Sequence, residues 1–302
     1  MPPAEIVSLR AHLKMRMRAL GKHVCRLLLV LCLGGFLGAT LVRFAPGFGV
    51  DEEELDSRLS RESMEAVRQS QELNGSLAGF YLRYLTHLLE GDLGISRTLH
   101  EPVRQLLAER FQETLKSVAL GLALGWAAGL TLAMTVAMGR TWFVDLGASL
   151  VTSTLLCVPA AVLALLFVIV QAPGRLVIGL IVFPKVFVYA RNLLAQTASL
   201  PHVLTARAKG LGSVRVLLWH VLPVAAPQLF ALAGISVSLA FAAAIPVEVL
   251  CDLPGIGQLA WKAALGRDLE LLVILTMIVT LVTLLANTAA ELASRPIHGG
   301  EA

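Results

Sequence analysis

The chain has 302 residues, 56% of them hydrophobic and only 15% charged, with a mean hydropathy of +0.75. A soluble domain carries about 25% charged residues, so a soluble fold of this size would lack the polar surface to cover itself, and the composition points to a polytopic membrane protein. The net charge of +4 is modest; where the charges lie matters more than their sum.

The first 23 residues form a basic leader: Arg10, Lys14, Arg16, Arg18 and Lys22, with Arg26 just beyond, stand against one acid, Glu5. No small-residue cleavage site follows, so the first apolar run reads as a retained anchor. A spanning helix needs about 20 mostly apolar residues. Runs that qualify or nearly do so fall at Val24–Leu41, Leu115–Met138, Leu146–Val170, Leu176–Ala190, Pro227–Ile245 and Leu271–Leu285. The expectation is therefore an all-α bundle of six transmembrane helices.

Between the first two spans, residues 45–112 form a loop that carries DEEELD at 51–56. Its sequence predicts a polar helix from Ser60 to Asn74 and a second begun by Ser76. Leu77, Phe80, Tyr81, Tyr84, Leu85 and Leu88 recur there at helical spacing up to Gly91. A third helix, Glu101–Phe111, runs into the second span. The second, third and fifth spans are rich in Gly, Ala, Ser and Thr (GLALGWAAGL, AGISVSLAFAAA). Such residues let helix backbones approach closely in lipid. Pro159 is expected to kink the third span, with neighbours satisfying the freed backbone groups. Lys185, one residue after Pro184, is an ionisable group inside the fourth span. It either lines a path for a solute or pairs structurally or snorkels.

The segment 205–223, TARAKGLGSVRVLLWHVLP, interrupts the apolar sequence. Ala206–Lys209 suits a short helix, which Gly210 and Gly212 break. Val214–Val221 suits a second, with Val214, Leu217, Leu218 and Val221 on one face, and Pro223 and Pro227 disturb the hydrogen bonding where the fifth span begins. Lys/Arg bias places the leader and this segment on the cytoplasmic side and the 45–112 loop outside. The same count puts the tail, 296–302, in the cytoplasm. The segment is either a docking surface for another protein or a basic loop against lipid headgroups.

Reactive constellations are largely missing from the sequence. It has no GxxxxGK[ST], HExxH or GxSxG pattern, and no catalytic or metal-ligand residues are assigned. His202 and His220 have no Cys or acidic partner at ligand spacing. Gly255 and Gly257 lack the third glycine of a nucleotide loop and read as a turn. Cys25, Cys32, Cys157 and Cys251 show neither metal spacing nor a disulfide framework, and read as small packing residues.

The 205–223 segment resembles the cytoplasmic coupling loop of ABC importer permeases, in which a glycine and a later Leu-Pro stand thirteen residues apart, as Gly210 and Pro223 do. TARAKGL is similar to the form found in the dipeptide/oligopeptide/nickel permease family. VRFAPGF, GDLGIS with EPVRQLLAERFQETL, and EVLCDLPGIGQLAWKAALGRD (Glu248 to Asp268) resemble further stretches of that family in the same order. The chain departs from the pattern at Leu204, where an acid is usual, at Pro201-His202 in place of Asp-Tyr, and at Gln196 in place of a glutamate. The connection QAPGR between the third and fourth spans is also short.

The resemblance implies a permease subunit of an ATP-driven importer, with its core over 113–295 and the first span over 24–44. The coupling loop would cover about 196–223 and the extracytoplasmic segment about 246–268. It implies that Thr205, Ala206, Arg207, Ala208, Lys209, Gly210, Leu222 and Pro223 engage the ATPase, with Ala206 and Ala208 as a low-profile surface for a groove. It further implies that Arg191 anchors its helix at the headgroups. Glu248, Pro254, Gly255, Gly257, Arg267 and Asp268 would face a binding protein, although the acids, with Asp252, could equally be solvated. Expected partners are a second permease, two cytoplasmic ATP-binding subunits that carry ATP and Mg, an extracytoplasmic solute-binding protein and the bilayer, with no nucleic acid. The location is a bacterial or archaeal plasma membrane, and solutes in the family range from peptides to nickel chelates and sugars. The rival is a self-sufficient secondary transporter or channel, which would need coupling-ion carboxylates inside the spans.

Overall fold

The structure, a computed structural model, describes residues 29–30, 32–37, 40, 86, 90–139, 142–266 and 268–294. Among them the protein is helical throughout, and the only β-type pairing is an isolated bridge between Ile95 and Pro102. The elements are α1 (Val103–Gly139), α2 (Trp142–Cys157), α3 (Ala160–Ile169), α4 (Arg175–Ala198), α5 (Pro201–Ala208), α6 (Ser213–Leu250), α7 (Ile256–Leu265) and α8 (Leu269–Ser294). Among the described residues four helices are long and apolar enough to cross a membrane: α1, α4, α6 and α8; α2 and α3 together make a fifth if they are one broken span. The leader, most of the first span and the helices expected over 60–88 lie outside the described residues.

The expected kink at Pro159 is a full break: α2 and α3 meet at 98°. Pro159 has no N–H and disfavours the helical conformation at Val158. Pro159 itself is extended (φ −60, ψ 144), and α3 restarts with the Val162 and Leu163 N–H groups donating to the Pro159 carbonyl. The fourth span is longer than its apolar run because α4 continues through Pro184 to Ala198. The fifth also starts earlier than expected. The chain is helical from Ser213, and Pro223 and Pro227 both lie within α6 rather than before it.

The chain divides into two compact units. In the larger (Arg104–Lys262 and Val282–Ala302), α1 and α4 approach through a glycine stripe. A Cβ placed on Gly121, Gly125 or Gly129 would lie 2.6–2.9 Å from side-chain atoms of Ile178, Val182 and Val186 respectively. Both series repeat every four residues, so a groove of one helix takes the ridge of the other. One buried cluster (Val118, Leu163, Ile178, Val182, Phe241, Val247) gathers near the Arg175 end of α4. Another (Ala133, Phe187, Leu194, Val203, Val216, Val221) gathers near the Ala198 end. In the smaller unit (Met1–Val103 and Ala263–Leu281), the described part of a helix near Gly34 lies against Thr280 of α8.

Candidate coupling segment and solute path

Leu200 is extended and Pro201 opens α5 at its first position, where a missing N–H costs nothing. The Thr205 hydroxyl donates to the Pro201 carbonyl at 3.0 Å. The helix ends in a Schellman motif. Gly210 N–H donates to Arg207 O at 2.9 Å and Leu211 N–H to Ala206 O at 3.4 Å, with Gly210 at φ +78, a left-handed conformation that glycine adopts without strain. The glycine that marks this segment in the sequence therefore has a local physical role: it closes α5.

The helix begins five residues before its sequence-based start at Ala206 and is two-faced. Val203 and Ala206 are buried with Leu194, Val216 and Val221. Leu204, Thr205, Arg207, Ala208 and Lys209 are exposed. Ala206, at 5% exposure, is thus part of the chain's own core and not a groove surface as expected; Ala208 remains available. In the first two turns of α6, Val216, Leu217 and Val221 are buried, whereas Val214 and Leu218 are exposed, so the expected face is rotated. Leu217–Val221 forms one π turn immediately before Leu222 and Pro223. Pro223 cannot donate to the carbonyl one turn back, and the wider turn accommodates it without ending the helix. Leu222 is half-buried and Pro223 exposed. His202 Nε2 lies 3.4 Å from the His220 carbonyl oxygen, a link from α5 to the π turn.

Helix α4 carries three cations. Arg175 donates to Glu113 of α1 at 2.7 Å. Arg191 forms a two-pronged pair with Asp145 of α2, so it is held by a carboxylate within the chain rather than by headgroups. Lys185, between them and half-buried, has no ion-pair or hydrogen-bond partner among the described residues. Sequence reading missed Glu113 and Asp145 as partners; the available signal was a charge of opposite sign at the matching end of a neighbouring span.

The 246–268 segment folds inward more than expected. Glu248 is 1% exposed, and its Oε2 accepts the Gly257 N–H at 2.7 Å. The Thr114 hydroxyl accepts the Ile256 N–H at 2.8 Å. The first turn of α7 is thereby satisfied by side chains of α6 and α1. A Cβ on Gly255 would lie 2.2 Å from the Glu248 carboxyl, and one on Gly257 would lie 2.6 Å from Ile245 Cα, so both glycines admit this approach. Pro254 and Asp252 are exposed.

In the smaller unit Asp268 is fully buried. It accepts Ser96 Oγ–H at 2.6 Å, Thr98 N–H at 3.3 Å and, as the N-cap of α8, Leu271 N–H at 3.1 Å. Glu248 and Asp268 are therefore neither solvated nor displayed by this chain: both are local fasteners. Arg267 lies outside the described residues. No group of three metal-ligating side chains occurs among the described residues.

Residues 129–297 match the family model described as "Binding-protein-dependent transport system inner membrane component". The chain is 27% identical over 300 residues to a Brucella suis chain named as a peptide permease protein, covering 88% of this chain and 94% of the relative. It is 24% identical to the glutathione transport system permease protein GsiC of Salmonella paratyphi A (74% and 79% covered). It is 25% identical to the oligopeptide transport system permease protein OppB of Escherichia coli (79% and 84% covered). A match over more than half of the chain, on the helices that carry the α5 segment, shows that the protein belongs to the family of binding-protein-dependent transport system inner membrane components, the permeases of ABC importers.

Proposed function

We propose that this chain is one transmembrane permease subunit of an ATP-driven importer. It forms half of the path for peptides or a similar small solute and is driven through α5 by a cytoplasmic ATPase. The observation that carries the reading is the build of α5. Its apolar face is set into the bundle through Val203 and Ala206, its other face presents Arg207, Ala208 and Lys209, and it is closed at Gly210 next to a helix that runs unbroken into a span. A partner gripping the exposed face would move α6 with it, because the buried face and the His202–His220 link leave little independent freedom. Domain closure in such a partner on ATP binding would shift the bundle between two openings. The names of the relatives support a peptide-like solute.

On this reading ATP and Mg belong to two partner subunits, and this chain supplies no catalytic group. A second permease completes the path, and an extracytoplasmic binding protein delivers solute. The basic leader and the α5 segment lie on the cytoplasmic side of a bacterial or archaeal plasma membrane. Co-purification tests it. The native chain, co-expressed with its cognate permease and ATP-binding subunits, should retain the ATPase in mild detergent. Gly210→Asp and Arg207→Glu should release the ATPase while keeping the second permease. Equal retention in all three would refute the role of α5, and no retention by the folded native chain would refute the importer reading.

A further inference from the structure

One face of α4 does not suit lipid. Lys185, Tyr189, Asn192 and Gln196 fall at i, i+4, i+7 and i+11, which stacks them along one side of a helix. Tyr189 is 61% exposed, Asn192 and Gln196 are exposed, and Lys185 is half-buried. Opposite the stripe the helix is packed, with Phe187, Ala190 and Leu194 buried. The polar side chains therefore lie on the face that the rest of the described residues leave uncovered. Amide and ammonium groups in hydrocarbon are costly and call for water or a polar partner.

Lys185 sharpens the point. It is ten residues from Arg175 and thirteen from Ala198, so about 15 and 20 Å along the axis from the two ends. A four-carbon stem covers less than half of either distance, so the ammonium does not reach either end of the helix. The cations near the two ends, Arg175 and Arg191, each have a carboxylate within the chain. The central cation has none among the described residues, so its counter-charge comes from elsewhere.

We propose that the Lys185–Tyr189–Asn192–Gln196 face lines the solute path and that the Lys185 ammonium receives a carboxylate of the solute, which makes carboxylate-bearing solutes this permease's substrate class. This rests on the transport reading above and extends it to recognition inside the membrane. The rival source of the carboxylate is the second permease subunit, which would make the face a dry interface.

The test uses the assembled transporter in inside-out vesicles, after co-purification has shown that it assembles. The chain's four cysteines are replaced by alanine, and single cysteines are placed at Tyr189, Asn192 or Gln196. An anionic methanethiosulfonate should modify all three positions faster than a cationic one. At Tyr189, one helical turn from the ammonium, Lys185→Met should cut that ratio about tenfold, as expected for removing one charge at that distance at intermediate dielectric, with smaller changes at Asn192 and Gln196, and Lys185→Arg should keep it. In uptake by whole cells carrying the transporter, a tripeptide should be preferred over its C-terminal amide by about 10- to 100-fold in KM, the range for a hydrogen bond to a charged group. Lys185→Met should abolish the preference through KM rather than kcat. Unreactive cysteines, or a charge ratio indifferent to Lys185, would overturn the proposal while the co-purified ATPase left the transport reading standing. A preference for the acid that survived Lys185→Met would overturn it as well.

Discussion

Replacing Gly125 by alanine adds one methyl group where α1 crosses α4. The new Cβ would sit 2.8 Å from both Cβ and Cγ1 of Val182 and 3.1 Å from the Gly179 carbonyl oxygen. Ordinary carbon–carbon contacts lie at about 3.5–4.0 Å, so the helices must part by most of an ångström. Trimming Val182 to alanine does not relieve the clash, because Val182 Cβ and a backbone oxygen are among the offending atoms. Overpacking of this kind costs about 1–3 kcal/mol, against which the gain in helix propensity from glycine to alanine is about 1 kcal/mol. The net expectation is a loss of up to about 2 kcal/mol, read as a lower thermal midpoint by roughly 2–4 °C per kcal/mol for the detergent-solubilised complex. Gly147→Ala on α2 is the matched control. No atom lies within 4 Å of its Cβ, so only the propensity gain remains and the midpoint should hold or rise. Equal behaviour of the two variants, or rescue of Gly125→Ala by Val182→Ala, would refute the close approach of α1 and α4.

Other substitutions test other joints. Gly210→Ala meets no atom within 4 Å but stays at φ +78, so it should cost about 1–2 kcal/mol by strain alone. Gly210→Asn should cost less, and ATPase retention in co-purification should follow the same order. Gly255→Ala should be damaging alone yet better tolerated with Glu248→Ala, because the three nearest atoms all belong to the Glu248 carboxyl. A double-mutant cycle of thermal midpoints should show that non-additivity, and additive losses would refute the contact. Asp145→Asn should lower the midpoint by about 1 kcal/mol equivalent, since the pair with Arg191 is partly exposed. Arg191→Gln added to it should cause little further loss, whereas two additive losses would mean the pair is not formed.

Much of the architecture is legible before any coordinates. Apolar runs mark α1, α4, α6 and α8, although those of α4 and α8 need their flanks to reach a spanning length, and Gly210 marks the end of α5 because few residues other than glycine accept its backbone. What the sequence hides depends on contacts distant along the chain. Pro159 announces a break but not its angle of 98°, which packing sets. Pro223 reads as a helix boundary, yet one π turn absorbs it. Glu248 looks like a solvated acid beside glycines until the chain doubles back and places the first turn of α7 on its carboxylate. Ala206 and Ala208 look alike in sequence, and only helix phase puts one in the core and leaves the other exposed. Asp268 shows the opposite case: an Asp one residue before an apolar helix is a readable N-cap, although its bond to Ser96 is not.

The central claim is that the exposed face of α5 is the grip of a cytoplasmic ATPase. The most direct measurement is thiol cross-linking in the assembled complex from Leu204→Cys, Ala208→Cys and Val203→Cys, each in a cysteine-free chain. Leu204 and Ala208 are exposed and Val203 is buried. The account predicts cross-links to the ATP-binding subunit from positions 204 and 208, changing in yield when ATP is added, and none from 203. Cross-links from none of the three in an assembled, folded complex, or from 203 as readily as from 208, would contradict it.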